Sequence, residues 1–532
     1  MGNTDTSQSS DNANDIHKAI QYYEQQILIA RKNGDHLNEG AALGNLGIVY
    51  ATLGDAHKAI QLWEQQLILV RKIGDRQGEG NTIGNLGIAY KMLGDVYKAI
   101  EFYEQQLIIV QEIGDRQGEC NALRNLGSVY DRLGNTYKAI KVFEQSLIIL
   151  REIGDLDGEG TVLNTLGLAY AALGASQKSI QFYEQALAIA RKIGDRQGEG
   201  NAIGNLGIAY KNLGDANKAI EYYQQAIVID REIGDRRGEG TDIRNLGVAY
   251  SILGDAHKAI QFYDQALVID REVGDYRGEG ATLGNLGSAY ANLGDVHKAI
   301  EFHEQALTLH QKIGDRRGES KDLGNLGNAY ADLGDINKAV QVYEQTLLID
   351  REIGDRQSEG NSLGSLGGAY YELGDTQKAI QFFEQQLAIV REIGDRHGEG
   401  NALGNLGVAH AALGDGQKAI MFYEQRLGIA REIGDRRGEG VTLLNMGNVY
   451  RHLGDIHTAI QLYKESLVIA REIDDRRGEA LRSWNLGLAY EDLGEIENAI
   501  LLIQMRVNYE REIGHPDAEK SAQKLEALKK RL

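Results

Sequence analysis

The sequence predicts an all-α solenoid of stacked antiparallel helix pairs. Three observations carry this. A forty-residue unit recurs twelve times in frame from Asp35 to Gly514, and those copies make 480 of the 532 residues. Each copy holds two helix-stop, helix-start signals, and the apolar residues between them fall at steps of three and four. A fixed period of roughly 20–50 residues marks a repeat array rather than a string of globular domains.

The composition bounds the function. There is one Pro, there are 66 Gly, and 42% of residues are apolar, as expected of helices packed closely. Lys and Arg total 57 against 77 Asp and Glu, a formal charge of −20. This balance argues against binding to a phosphate backbone and therefore against nucleic acid. One cysteine, Cys120, leaves no internal disulfide and no thiolate metal site, which suits a reducing, cytoplasmic setting. No apolar run is long enough for a membrane span.

In chain order, residues 1–14 are polar and are expected to be a disordered tail without a secretory signal. Gly2 and Thr6 fit the loose N-myristoylation pattern, with no polybasic run beside them. Residues 15–34 read as an unpaired helix matching the second half of the repeat. Its expected role is to cover the first full repeat; a monomer is the simpler state, and self-association through 15–34 is the alternative. Residues 35–514 are the twelve repeats.

The copy at 195–234 shows the unit. Asp195 caps a helix through RQGEGNAIGNLGIAYKNL, Gly214 ends it, and Asp215 caps ANKAIEYYQQAIVIDREI up to Gly234. Each helix is about 18 residues, roughly 27 Å long. Leu206, Ala209 and Tyr210 share one face of the first helix; Ala219, Ile220, Tyr223, Ala226 and Ile227 share one face of the second. Gly stands at the position of Gly207 in all twelve copies. A mid-helix Gly costs roughly 1 kcal/mol against Ala, so the recurrence implies an aromatic ring leaning over the missing side chain. Residues 515–532 contain the only proline, Pro516, in the first turn of a capping helix in which Leu525, Leu528 and Leu532 pack backwards.

The series Leu206, Gly207, Tyr210, Ala219, Tyr223, Ala226 resembles the tetratricopeptide repeat (TPR). The Tyr recurs in eleven of twelve copies, with His410 the exception, and the Ala in all but one, where Ser179 stands. The unit has forty residues where the common form has 34, and Arg231 replaces the usual Pro. The long form is similar to the TPRs of Pins/LGN cell-polarity adaptors and, more distantly, of kinesin light chains. The resemblance implies a right-handed superhelix whose concave groove is lined by first helices. It further implies a non-catalytic scaffold or adaptor gripping an extended or helical peptide. A Pins/LGN-type signalling regulator, or a peptide-sensing regulatory receptor, is the alternative.

No HExxH, GxxxxGK[ST], GxSxG or Cys–His pairing is present, and the histidines scatter over repeat phases, so neither an enzyme, a cofactor nor a metal is expected. Resemblance places a recurring Asn on the inner surface: Asn45, Asn85, Asn125, Asn205, Asn245, Asn285, Asn325, Asn405, Asn445 and Asn485, with Thr165 and Ser365 in the two other copies. Such amides can hold a peptide backbone or brace adjacent repeats; both readings stand here. Specificity is expected where copies differ. Arg124, Arg244, Lys91, Lys211 and Arg451 are candidates to read acidic side chains of a protein or peptide ligand, with Trp484 and Tyr371 as anchors. The Arg-rich turns, such as Arg436–Arg437, are expected to pair with acids of neighbouring repeats.

Overall fold

A computed structural model describes the backbone of residues 5–531 and the side chains of residues 16–531. Among these residues there are twenty-six α-helices, α1 to α26, and no strand. Each repeat is one antiparallel helix pair, even-numbered first helices alternating with odd-numbered second helices, and the array is an all-α repeat solenoid. The helices cluster into two compact units, residues 1–273 and 274–532.

In the first unit, α11 (Ala216–Ile233) matches the expected bounds, and α10 (Arg196–Asn212) ends one residue earlier than expected, with Leu213 as its C-cap. The Asp195 carboxylate accepts from the Gly198 N–H at 2.9 Å and Asp215 from the Lys218 N–H at 3.0 Å. Gly214 and Gly234 take φ of 90° and 74°, a left-handed conformation open to Gly at little cost. One copy in the second unit departs from this: Asp474, at φ 56°, stands where the other joints have Gly.

Helix α1 (Asp5–Asn33) begins ten residues before Asp15, so the stretch expected to be a disordered tail is helical from Asp5 onward. No Gly or Pro lies between Asn3 and Asn33, and propagation from the amphipathic segment meets no stop. Gly2 lies outside the described residues. Ile27 and Ala30 of α1 are buried, Ile27 beside Leu43 and Leu46 of α2 (His36–Thr52), while Tyr22, Leu28 and Ile29 stay exposed. At the other end, Leu525 and Leu528 of α26 (Ala518–Lys529) pack on Ile503 and Val507 of α25 (Ile496–Glu512); Leu532 is outside the described residues.

Ion pairs recur with the period. Glu79, buried, receives Arg71 Nε at 2.7 Å and Arg76 Nη1 at 2.6 Å, and Arg76 also reaches Glu112. Burial pushes the Glu79 carboxyl up, but the two arginine hydrogen bonds outweigh it and hold it below its ordinary value. Each such set ties a first helix to the second helices before and after it. The Arg-rich turns are used the same way: Arg436 pairs with Glu439 and Glu472.

Candidate functional site

Consecutive first helices leave a cleft whose floor is the second helix between them. Three are well formed. One, of about 240 Å³, lies between α8 (Leu156–Ala172) and α10, floored by Ala186 and Ile189. Another, of about 310 Å³, lies between α10 and α12 (Arg236–Ile252), floored by Asp230. In the second unit a cleft of about 470 Å³ separates α16 (Arg316–Asp332) from α18 (Arg356–Glu372), with Thr346 and Asp350 of α17 (Ile336–Ile353) beneath. Asn164, Asn205, Asn245 and Asn325 lie on these walls.

The Asn positions are half-buried except Asn45, which is exposed. Asn205 Nδ2 donates to Asn164 Oδ1 at 2.9 Å, a brace between neighbouring first helices. Asn245 hydrogen-bonds to Asp242 of its own helix. Asn45, Asn85, Asn125, Asn285, Asn325, Asn405, Asn445 and Asn485 have no hydrogen-bond partner among the described residues. Bracing therefore accounts for one side chain of the ladder and leaves most of its amides unused.

The charged candidates divide. Arg244 is committed internally: its Nη1 lies 3.0 Å from Asp270 Oδ2, both largely buried. Arg451 Nε donates to Asp492 at 2.6 Å, across to the next first helix. Trp484 and Tyr371 pack against the hydrophobic core instead of standing clear. Arg124 is half-buried and has no ion pair among the described residues. Lys91 and Lys211 are half-buried too; burial, and then the charge of Arg132, lowers the Lys91 ammonium.

A model of the tetratricopeptide repeat matches residues 13–67, 39–112, 78–152, 118–192, 198–272, 278–352, 358–432 and 439–507. The chain belongs to the tetratricopeptide repeat family. A second model of the same repeat matches residues 325–390. No curated protein matches the sequence. Among solved structures the chain is similar to BtubC (BKLC) from P. vanneervenii, at 23% identity over 41% of this chain and 92% of that one, TM-score 0.39. It is similar to a signal transduction ATPase with numerous domains carrying a tetratricopeptide repeat sensor, from Pyrococcus horikoshii, at 17% identity and TM-score 0.47. That match covers 67% of this chain and 54% of the other, so the chain spans about half of that protein. The APC/C hetero-tetramer Cut9-Hcn1 is similar at 15% identity over 96% of this chain and 95% of that one, TM-score 0.41.

Tetratricopeptide repeat proteins typically serve as non-catalytic scaffolds that bind protein partners. Among the described residues no helix is long and apolar enough to cross a membrane, and no three His, Cys, Asp or Glu gather as a metal site.

Two features of this tetratricopeptide array escaped the sequence reading. Arg426, on α21 (Gly416–Ile433), crosses Gly404 of α20 (Arg396–Ala412), where a Cβ would sit 2.8 Å from its Cζ. No ion pair or hydrogen bond holds its guanidinium among the described residues. Burial lowers its pKa, while the Asp435 carboxylate beyond contact distance opposes this. The other copies carry Gln66, Gln106, Ser146, Thr346, Gln386, Ser466 or alanines at this position, and the last carries Arg506, which pairs with Glu510; comparing them would have drawn attention to the two arginines. The second feature is a set of buried acids, Asp230, Asp242, Asp270, Asp322 and Asp350, of which Asp230, Asp242 and Asp350 line the clefts described above.

Proposed function

We propose that this chain is a non-catalytic adaptor that binds an extended segment of a partner protein along the clefts between first helices. The observation that carries this reading is the unused Asn ladder: eight half-buried or exposed amides in one register, without internal partners among the described residues. An amide with donors and an acceptor at each repeat can satisfy the backbone of an extended chain without reading its side chains. Arg124, Lys91 and Lys211 in the first unit then favour acidic side chains on the ligand, because each is half-buried and lacks an ion pair among the described residues. Arg244 and Arg451 do not join them, since their acids are already supplied from within.

The test is selection of displayed random peptides on the intact chain, followed by binding to a variant carrying Asn85→Ala, Asn125→Ala, Asn405→Ala and Asn445→Ala. Selected peptides should bind the variant roughly tenfold or more weakly, because several backbone hydrogen bonds go at once. Thermal melting should barely move. Recovery of no peptide, or undiminished binding to the variant, overturns the reading.

A further inference from the structure

We propose that the cleft between α10 and α12 is a site for a cationic group, the ammonium or guanidinium of a Lys or Arg in the bound partner segment, held by Asp230 and Asp242. This rests on the groove reading above and names one side chain that the groove selects. Asp230 rises from α11 at the floor and Asp242 reaches from α12 towards α10. Both Asp242 oxygens lie 3.2 Å from where a Cβ on Gly204 would stand. The Asp230 oxygens point at the two walls, Oδ1 3.3 Å from a Cβ on Gly200 and Oδ2 3.0 Å from one on Gly238. Asp230 is 4% exposed and Asp242 8%, and Asp230 Oδ2 has no hydrogen-bond partner among the described residues.

The other copies show what a buried acid at this depth requires. Asp270, in the position of Asp230 one repeat later, is paired with the Arg244 guanidinium at 3.0 Å. Asp322, in the position of Asp242 two repeats later, has His310 Nδ1 at 2.6 Å, and His310 stands where Asp230 stands. Asp350 accepts from both Ser320 and Ser362, the latter at 2.7 Å. Each of these acids meets a donor from its own chain. At 230 and 242 two carboxylates meet each other: Asp242 accepts from the Asn245 amide, no basic group or hydroxyl reaches Asp230 Oδ2 among the described residues, and a ligand's cation fits that place. Two carboxylates with no third acidic or imidazole ligand suit an ammonium or guanidinium better than a metal ion.

The charges around the pair agree. On α10, Glu199 is tied to Arg191 and Arg196. On α12, Asp235 caps its own helix at Gly238, Glu239 is tied to Arg231 and Arg236, and Arg244 is tied to Asp270. Arg237 stands exposed at the rim beside Asp235. Burial, and then the charge of Asp230, push Asp242 up to about 8. Burial, and then the charge of Asp235, push Asp230 up to about 6, while its hydrogen bond with Asp242 works the other way. An entering cation displaces the shared proton to solvent, so binding tightens as pH rises from 6 to 8.

The probe is N-acetyl-lysine methylamide at millimolar concentration, with its Nε-acetylated analogue as control. The readout is the carboxyl ¹³C resonances of the intact chain, assigned with Asp230→Asn and Asp242→Asn. The expected result is a saturable change at both carboxyls with the lysine probe only, roughly tenfold tighter at pH 8 than at pH 6, and lost in the double Asn variant. No saturable change, or an equal change with the acetylated analogue, overturns the site. Selected peptides that bind both the wild type and the double Asn variant equally overturn it while leaving the groove reading intact. Lysine binding here without any selected peptide would instead count against the groove alone.

Discussion

The ring of Tyr223 occupies the space over Gly207, so that a Cβ on Gly207 would sit 2.5 Å from its Cε1. The same relationship joins Gly47 to Trp63, Gly127 to Phe143 and Gly447 to Tyr463, and only Ile503, over Gly487, lacks a ring. The aromatic face holds the two helices of a repeat together, and the glycine is what lets them approach.

Gly207→Ala therefore costs the pair α10–α11 roughly 1–3 kcal/mol, since the ring must move out of a packed core. Gly368, also inside a first helix, has nothing within 4 Å of an added Cβ. Gly368→Ala is expected to stabilise its helix by up to about 1 kcal/mol. Hydrogen exchange resolved by repeat is the suitable measurement, because a linear array opens locally. Equal effects of the two substitutions would refute the packing explanation.

The contrast between these two glycines marks how far the sequence was legible. Period, caps and the Gly207–Tyr223 contact follow from spacing alone, because each is set within one repeat. The fates of Arg244 and Trp484 are not, because their partners come from elsewhere. Arg244 reads from its position as a groove cation, but Asp270, 26 residues on and on a second helix, meets it. Arg426 is the converse case: its position reads as core where Ala226 stands, yet its side chain lies beneath Gly404. Packing decides which second-helix residues reach the cleft, and periodicity does not carry that information.

His303 takes the place of the ring over Gly287, with 2.7 Å to an added Cβ, and is buried. Burial, and then the charge of Lys321, lowers its pKa to about 4 from an ordinary 6.5. The folded state thus binds a proton less readily than the unfolded one, and stability contributed by the neutral ring is lost as pH falls from 6.5 towards 4. The loss is on the order of 3 kcal/mol in that repeat. His303→Phe, the residue found at Phe143 and Phe383, should remove this dependence and leave neutral-pH stability equal or higher. Hydrogen exchange at pH 7 and pH 5 in both proteins checks it; an unchanged pH response in the variant would count against the assignment.

Asp474 holds a left-handed conformation, φ 56°, where the other copies have Gly. An L-residue there is strained by roughly 1 kcal/mol. Asp474→Gly should raise the stability of the joint before α24 (Arg476–Asp492) by about that amount, offset in part by the greater freedom of Gly in the unfolded chain. A shift of the opposite sign in local exchange rates would show that the Asp474 side chain, not its backbone, governs this joint.

Arg426 brings stability and binding into opposition. Its guanidinium lies beneath Gly404 with no acid in contact among the described residues, and burying that charge costs more than burying the neutral amides of Gln66, Gln106 and Gln386, whose Oε1 atoms also lack partners beneath the equivalent glycines. Arg426→Gln should therefore leave the repeat as stable or more so, by at most about 1 kcal/mol because the group is only half-buried. The same change should weaken groove peptides that carry Asp or Glu roughly tenfold, and leave their Asn or Gln counterparts unaffected. A residue kept only for packing would show the reverse, a loss of stability with no change in ligand preference. Melting and peptide titration on the one variant separate the two.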